Sequence, residues 1–476
     1  MSARRREEVL LEDLRAGRPM PARARAALVW LLSVPTILAE LSSIAMEYID
    51  AGMVGRIGSG GAAAIGLVAS TTWLCWAGLR GAAAGYSVLV AQRIGAGRDR
   101  LARSTALQGL RDSLVWAALL GAAGAAVSGA VPRWLGGAPE LRADASSYLL
   151  VFMLGMPLGQ LRLVCSRYLL SAGDMRTSSA LNVLACALDV VFNFLLIFPS
   201  RAVSLAGLSV PVPGAGLGVV GAALGTVAAD AVTGALLARA VFARNPHLRL
   251  RAGDAFRSSR AVLARAVRIG APVGLESVVI TGAMVAATAI VAPLGTVALA
   301  ANSFAITAES LCYMPGYGIS SAATALVGQA IGAGRPRLAR ALAWTCTRAG
   351  VAVMAATGAL LYAFAPQAMA LLSPDPDVVA AGAEVLRIEA FAEPLFAASI
   401  VAAGALRGAG DTLVPGVLNA ASVWCVRIPL AALLVARGGL RGAWIAMAAE
   451  LSVRGLLLLA RLASGRWDRP RPARAR

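Results

Sequence analysis

Long apolar segments recur along the whole chain and constrain its fold more than any other feature. Residues 114–131 form one such segment, and residues 181–198 form another that contains a few polar side chains. A helix of about 20 apolar residues is needed to span the hydrocarbon layer of a bilayer. Hydrophobic residues make up 58% of the 476 positions and charged residues only 14%. A single soluble core cannot bury this excess, because such cores stop growing near ~300 residues. The sequence therefore predicts an all-α integral membrane protein.

Arginine residues separate the apolar segments and indicate how the chain crosses the membrane. We count about twelve transmembrane spans, and all 44 basic residues are arginine. When the connections are sorted alternately, 33 arginines fall on one side and six on the other. The positive-inside rule therefore predicts a multi-pass protein of the inner (plasma) membrane with both termini in the cytoplasm. The predicted organisation is a basic tail, a six-helix lobe, a cytoplasmic linker, a second six-helix lobe and a second basic tail, at 1–27, 28–238, 239–265, 266–462 and 463–476.

An internal repeat relates the two predicted lobes at one fixed offset of 237 residues. Residues 89–103 match residues 326–340 at 12 of 15 positions, and the AGD triplet at 172–174 matches the one at 409–411. The same offset aligns Pro35 with Pro272 and Cys75 with Cys312. Because six spans return the chain to the same side, we expect a pseudo-two-fold axis along the membrane normal. A substrate pathway is expected between lobes related in this way.

Several repeated segments resemble the multidrug and toxic compound extrusion (MATE) transporters. The first half carries SVP at 33–35, DAGMVG at 50–55, GAGRDRLA at 95–102 and GVVGAALGT at 218–226. The second half carries MPGYGISSAATALVGQAIGAG at 314–334 and LRGAGDTLVPGVLN at 406–419. The set is most similar to the bacterial DinF-type branch. The resemblance implies a secondary antiporter that exports drugs, cationic amphipathic compounds or metabolites by alternating access.

The resemblance also implies an ion-coupling site in the N-terminal lobe. Asp50 stands at the position of the family's span-one aspartate, which implies that it binds the coupling proton or Na⁺. Asp189 and Asn193 share one face of span five, since they lie four residues apart. The family pattern there is an amide followed by a carboxylate, and this chain has the reverse order. Asp230 is expected to join the cluster. Carboxyl groups gathered away from water repel one another when ionised, so such a cluster can take up and release a proton or hold a cation.

Other polar residues inside the spans are candidates for the substrate cavity and for gating. A charged residue in a spanning helix is costly and is therefore a functional candidate. We expect Pro35 to bend the first span and to act in gating. The acids of span ten are expected to pair internally or to lie near a helix end. The predicted cavity residues are Glu47, Thr226, Glu276 and Glu309.

Other classes of function are less consistent with the sequence. The chain has a single histidine, His247, and lacks a nucleophile motif, which argues against an enzyme. It also lacks the phosphate-binding loop of an ATP-driven pump, which argues against that class. A channel, a transporter of the major facilitator type and a flippase for lipid-linked intermediates remain alternatives. The net charge of +19 is explained by topology, so no nucleic acid partner is expected. We expect a monomer in the lipid bilayer, with a small-molecule substrate, no organic cofactor and no bound metal.

Overall fold

The computed structural model describes residues 3–56, 59–205, 208–251 and 258–468, and helices dominate this part of the chain. A short antiparallel hairpin, β1 (Pro199–Leu205) and β2 (Leu208–Ala215), follows the helix that ends at Ile197. The helices are α1 Ala3–Arg15, α2 Ala22–Gly55, α3 Ser59–Gly95, α4 Asp99–Val127, α5 Val131–Trp134, α6 Pro139–Ala172, α7 Met175–Ile197, α8 Gly218–Arg239, α9 Arg260–Val291, α10 Thr296–Gly332, α11 Pro336–Ala370, α12 Pro376–Ala390, α13 Glu393–Ala409, α14 Leu413–Ser422 and α15 Ile428–Ala463.

Twelve membrane crossings follow from these helices. In the described ranges, ten helical segments are long and apolar enough to span a membrane, and the last of them covers 51 residues, Leu413–Ala463. At 1.5 Å per residue such a segment is far longer than a bilayer is thick. Its backbone leaves the helical conformation at Gly439 (φ 54°), where the chain turns and Gly442 packs against the Leu434 carbonyl. The segment is therefore two spans, and α12 with α13 forms one more. The prediction of about twelve spanning helices is confirmed.

The two six-helix lobes, α2–α8 and α9–α15, contact each other symmetrically. Residues at equivalent positions of the repeat make matching contacts with the opposite lobe. The helices α2 and α9 both start at the end of the bundle that also carries α1, the turns at 96–98 and 333–335, and the connection from α8 to α9. We call this the linker end. Gly81 packs against Gly274 of the other lobe, and its equivalent Gly318 packs against Ile37. Equivalent residues thus make reciprocal contacts, as the predicted pseudo-two-fold axis along the membrane normal requires.

The closest reciprocal contacts lie at the linker end, in the segments that repeat best. A Cβ added to Gly95 would overlap the Gln329 carbonyl, and one added to Gly332 would overlap the Gln92 carbonyl. Each of these glutamines also donates a hydrogen bond to the other lobe. Gln92 Nε2 donates to the Gly408 carbonyl at 3.3 Å, and Gln329 Nε2 donates to the Ser171 carbonyl at 2.7 Å. Small residues permit this backbone approach, so the two lobes are closed against each other at the linker end.

The first helix, α1, docks on the linker end and contacts both lobes. Arg15 donates from Nε to Gln329 Oε1 at 3.0 Å and from a terminal nitrogen to the Ala172 carbonyl at 2.9 Å. Another terminal nitrogen of Arg15 meets His247 Nε2, while Nδ1 of the same imidazole meets the Asp99 carboxylate at 3.1 Å. Burial and the nearby Arg15 charge lower the pKa of His247. The imidazole is therefore neutral at pH 7, with its proton on Nδ1.

We expect Gly95→Ala to destabilise the protein, because the added methyl group would separate the lobes at their closest contact. Overpacking of this kind costs about 1–3 kcal/mol. The matched control is Gly66→Ala in the same helix, where an added Cβ meets no atom within 4 Å. Thermal unfolding in detergent should show a lower midpoint for Gly95→Ala than for Gly66→Ala. Equal midpoints for the two variants would contradict the proposed role of this contact.

Candidate functional site

The ends of two helices bring Asp50, Asp189 and Asn193 together in the N-terminal lobe. Asp50 lies five residues before the end of α2, and Asp189 and Asn193 lie in the last three turns of α7. Both helices run away from the linker end, so the cluster lies in the opposite half of the lobe. Asp189 and Asn193 are each 2% exposed. The four-residue spacing on α7 points both side chains at α2.

The Asn193 amide holds the two carboxyl groups in place. Its Nδ2 donates to Asp50 Oδ1 at 3.1 Å and to Asp189 Oδ2 at 3.0 Å. The Asp50 and Thr226 side chains also lie close enough to Asp189 to act on its carboxyl group. Two neighbouring carboxyl groups can share a hydrogen bond only when a proton lies between them. The reversed order of carboxylate and amide on α7 is thus compatible with a single polar cluster.

Two oxygen atoms of this cluster are buried without a hydrogen-bond donor from the described residues: Asp189 Oδ1 and Asn193 Oδ1. Burying a polar group without a partner is unfavourable, so such atoms in a native structure call for an explanation. Gly225 of α8 leaves room for the amide oxygen, since a Cβ there would overlap Asn193 Oδ1. The free Asp189 oxygen can accept a proton, and both free oxygens can ligate a small cation.

Asp230 belongs to a second polar group next to the first. Its carboxylate accepts from Arg162 Nε of α6, and Arg162 also donates to Asn182 Oδ1 at 3.1 Å. Asp230 is 7% exposed, and its charge acts on Asp189. The structure therefore places Asp230 beside the cluster in an ion pair. Tyr148 of α6, which no sequence pattern indicated, also lies near the Asp50 and Asp189 charges.

Arg162→Gln is expected to destabilise the lobe, because it leaves the Asp230 carboxylate buried without a cation. Breaking a buried ion pair costs about 3–5 kcal/mol, and the part-exposed arginine favours the lower end of that range. Removing both charges with Arg162→Gln and Asp230→Asn should recover most of the loss. The control is Arg441→Gln, whose pair with Glu384 is exposed. Thermal unfolding measures all three, and a double variant no more stable than Arg162→Gln would contradict the pairing.

The cavity candidates of the other lobe lie in two different environments. Glu276 is bound by Arg407 at 2.7 and 2.9 Å and by the Asn419 amide, and it is 6% exposed. Arg407 and Asn419 therefore shield the Glu276 carboxylate from solvent. Glu309 is also buried, and its nearest charges include Arg427 and Arg454. Both acids are therefore buried beside arginine side chains.

Two acids of span ten form a buried group with Glu309. Glu389 lies in the last turn of α12 and Glu393 is the first residue of α13, and both are 0% exposed. The prediction that they lie near a helix end is correct for these residues. The alternative, internal pairing, is not found for these two acids, because their four carboxyl oxygens are buried without a hydrogen-bond partner among the described residues. The i, i+4 spacing was visible in the sequence, but the break between α12 and α13 was not.

The remaining candidates lie on α2 between the lobes. Glu47 is exposed and lies less than one helical turn before Asp50, whose charge acts on it. Pro35 lies inside α2, which continues past it without a break. The neighbouring Thr36 hydroxyl is within 2.9 Å of the Gly318 carbonyl of the other lobe. Pro35 therefore lies where the two lobes touch.

Comparisons with known proteins place these features in a family. Sequence patterns described as MatE match residues 35–195 and 272–433, so one match falls in each lobe, with starting points 237 residues apart. A probable multidrug resistance protein NorM of Chromobacterium violaceum is 29% identical over 439 residues, covering 90% of this chain and 91% of the relative. One of the same name from Xanthomonas axonopodis pv. citri is 30% identical over 457 residues, covering 90% and 92%.

A solved structure has the same fold. It is described as the outward-facing conformation of a multidrug resistance MATE family transporter of the MOP superfamily. It superposes with a TM-score of 0.84 at 22% sequence identity, covering 93% of this chain and 96% of the other.

Proposed function

This chain belongs to the MATE family of transporters, and from that premise we propose that it exports drugs or metabolites by antiport against an ion gradient. Family membership makes it a transporter and not an enzyme, and it excludes the major facilitator alternative. The relatives are named as multidrug resistance proteins, which supports the substrate class. The DinF-type branch stays a prediction, since the relatives described above carry the NorM name.

The observation that carries the proposal is the cluster of Asp50, Asp189 and Asn193 with its two free oxygen atoms. We propose that the ion is a proton, because the single Asn193 amide nitrogen binds both carboxyl groups, at 3.1 and 3.0 Å, and so holds them close together. Loss of that proton would leave two negative charges on one amide, and their repulsion would favour a different packing of α2 against α7. Proton binding would in this way bias the lobe between two arrangements. Na⁺ held by the same oxygens is the alternative.

We further propose that the substrate enters between the lobes and carries a positive charge on an apolar body. Glu47 is exposed close to Asp50. Glu40 lies on the same helix, two turns before Glu47, and the Arg167 charge acts on it. A cationic substrate near these acids would compete electrostatically with the coupling proton. A lipid-linked intermediate or passage through an open channel would not require that competition. We expect one chain to suffice, because each six-helix lobe finds its partner within the same chain.

We expect Asp50→Asn to reduce gradient-driven efflux strongly. The amide keeps the size and hydrogen bonding of the carboxyl group but cannot release a proton at physiological pH. Coupling free energies between two sites are typically about 1–3 kcal/mol, so we expect a loss of about 5- to 150-fold in dye efflux from inverted vesicles. Asp189→Asn should behave alike. Proton and Na⁺ gradients imposed separately identify the ion.

The matched control for this test is Glu384→Gln, which removes an exposed carboxylate paired with the exposed Arg441. It should transport normally after correction for membrane abundance. Normal efflux with an unchanged pH profile in Asp50→Asn would rule out the cluster as the coupling site. Saturable flux that ignores both gradients would instead favour a channel or a uniporter.

We propose that the protein lies in the plasma membrane of a bacterial cell and that its linker end faces the cytoplasm. The 33 arginines on that side against six on the other support this orientation. A cysteine introduced in place of Arg249, which is exposed in the connection from α8 to α9, should resist a membrane-impermeant maleimide in intact cells. It should react once the cells are opened. Labelling in intact cells would reverse the orientation.

A further inference from the structure

A cavity of about 210 Å³ opens at the linker end between the two lobes. It lies where the end of α3 and the start of α4 face the start of α9. Its lining combines apolar side chains, one amide and three guanidinium groups: Leu89, Gln92, Arg93, Ala96, Arg98, Leu101 and Arg265. We call it the basic cleft. It is separate from the ion-coupling cluster, which lies in the opposite half of the lobe.

The charges of the basic cleft all have the same sign. Arg98 and Arg265 are the charged groups that act most strongly on Arg93. Arg93 donates to the Leu101 carbonyl at 3.0 Å, which fixes its side chain at the cleft. No carboxylate is among the residues that line it in the described part of the chain. Like charges that line one small cavity repel one another. An anion bound in the cleft would relieve this repulsion.

The repeat supplies an equivalent cleft in the other lobe, and that one is filled. The 237-residue offset relates Leu89, Gln92, Arg98 and Leu101 to Leu326, Gln329, Arg335 and Leu338. Leu326 and Leu338 belong to the same buried cluster as Leu11 and Leu14 of α1. Helix α1 therefore occupies the equivalent position.

The polar contacts of α1 indicate what such a cleft binds. Gln329 accepts from Arg15 of α1. Arg335 donates to two carbonyl oxygens in the last turn of α1, those of Asp13 and Leu14 at 3.3 and 3.0 Å, and to the Arg18 carbonyl just beyond it at 2.8 Å. The C-terminal end of a helix carries a partial negative charge. The filled cleft thus combines an apolar body with a group of negative oxygens bound by arginine.

We propose that the basic cleft binds the phosphate group of an anionic phospholipid. Its Arg98 is equivalent to Arg335 and would donate to phosphate oxygens, while Arg93 and Arg265, which replace the apolar Ala330 and Leu28 of the filled cleft, add two positive charges. Leu89 and Leu101 offer apolar contact to the glycerol and acyl carbons. Basic pockets between spanning helices at the cytoplasmic surface are typical sites for anionic headgroups. A free phosphate ion would use the arginines but gain nothing from the leucines.

The test uses the full-length protein in a neutral detergent. Phosphatidylglycerol, phosphatidylcholine or inorganic phosphate is titrated while the thermal unfolding midpoint is followed. We expect a saturable increase with phosphatidylglycerol alone, and native mass spectrometry should retain that lipid. The variant Arg98→Gln with Arg265→Gln should weaken the apparent affinity at least tenfold. Both arginines are exposed, so folding should be preserved, and the single variant Arg98→Gln serves if the double variant is unstable.

The matched control removes the same charge elsewhere on the linker end, with Arg249→Gln and Arg337→Gln. Both of these arginines are exposed and neither lines the cleft. An equal loss of lipid affinity in the control would overturn the proposal, because it would indicate general attraction to a basic surface. A shift with inorganic phosphate as large as that with the lipid would overturn the assignment to phospholipid. An equal increase in the unfolding midpoint with phosphatidylcholine would also overturn the proposal, because binding would then not depend on the negative charge of the lipid.

Discussion

The fold depends on the close backbone approach of the two lobes where Gly95 meets Gln329 and Gly332 meets Gln92. Without water in the bilayer, helices gain little from hydrophobic burial against each other and must associate through packing and hydrogen bonds. Glycine permits the packing, and the two glutamines add a hydrogen bond in each direction. Because the contacts are reciprocal, opening the linker end must break both sets together. The closed state is therefore lost in one step.

The same repeated framework carries different chemistry in each lobe. Asn182 and Asn419 are equivalent, and each binds a member of a buried ion pair. Asn182 accepts from Arg162, whereas Asn419 donates to Glu276. In the first lobe the pair lies next to a cluster with free oxygen atoms. The repeat thus supplies stable frameworks of similar shape, and substitutions in one copy create the site.

Sequence periodicity predicted the spans and the repeat because both depend on local hydrophobicity and on matches at one fixed offset. The grouping of Asp50 with Asp189 and Asn193 came from the family resemblance and helical spacing. What could not be predicted were contacts that depend on helix packing, such as Arg407 with Glu276 and Tyr148 near the acids. The isolation of Glu389 and Glu393 required knowing that the chain breaks between α12 and α13. The docking of α1 had no periodic signal either.

The docking of α1 has a consequence for the order in which the molecule is built. Its residues leave the ribosome before the spanning helices, and the surface that receives them, including Gln329 and Arg335, is synthesised more than 300 residues later. Chains are made at about 5–20 residues per second, so α1 waits tens of seconds without its binding surface. It reaches its place only when the second lobe has been inserted. Protection of α1 from proteolysis would therefore report completed assembly of the whole transporter.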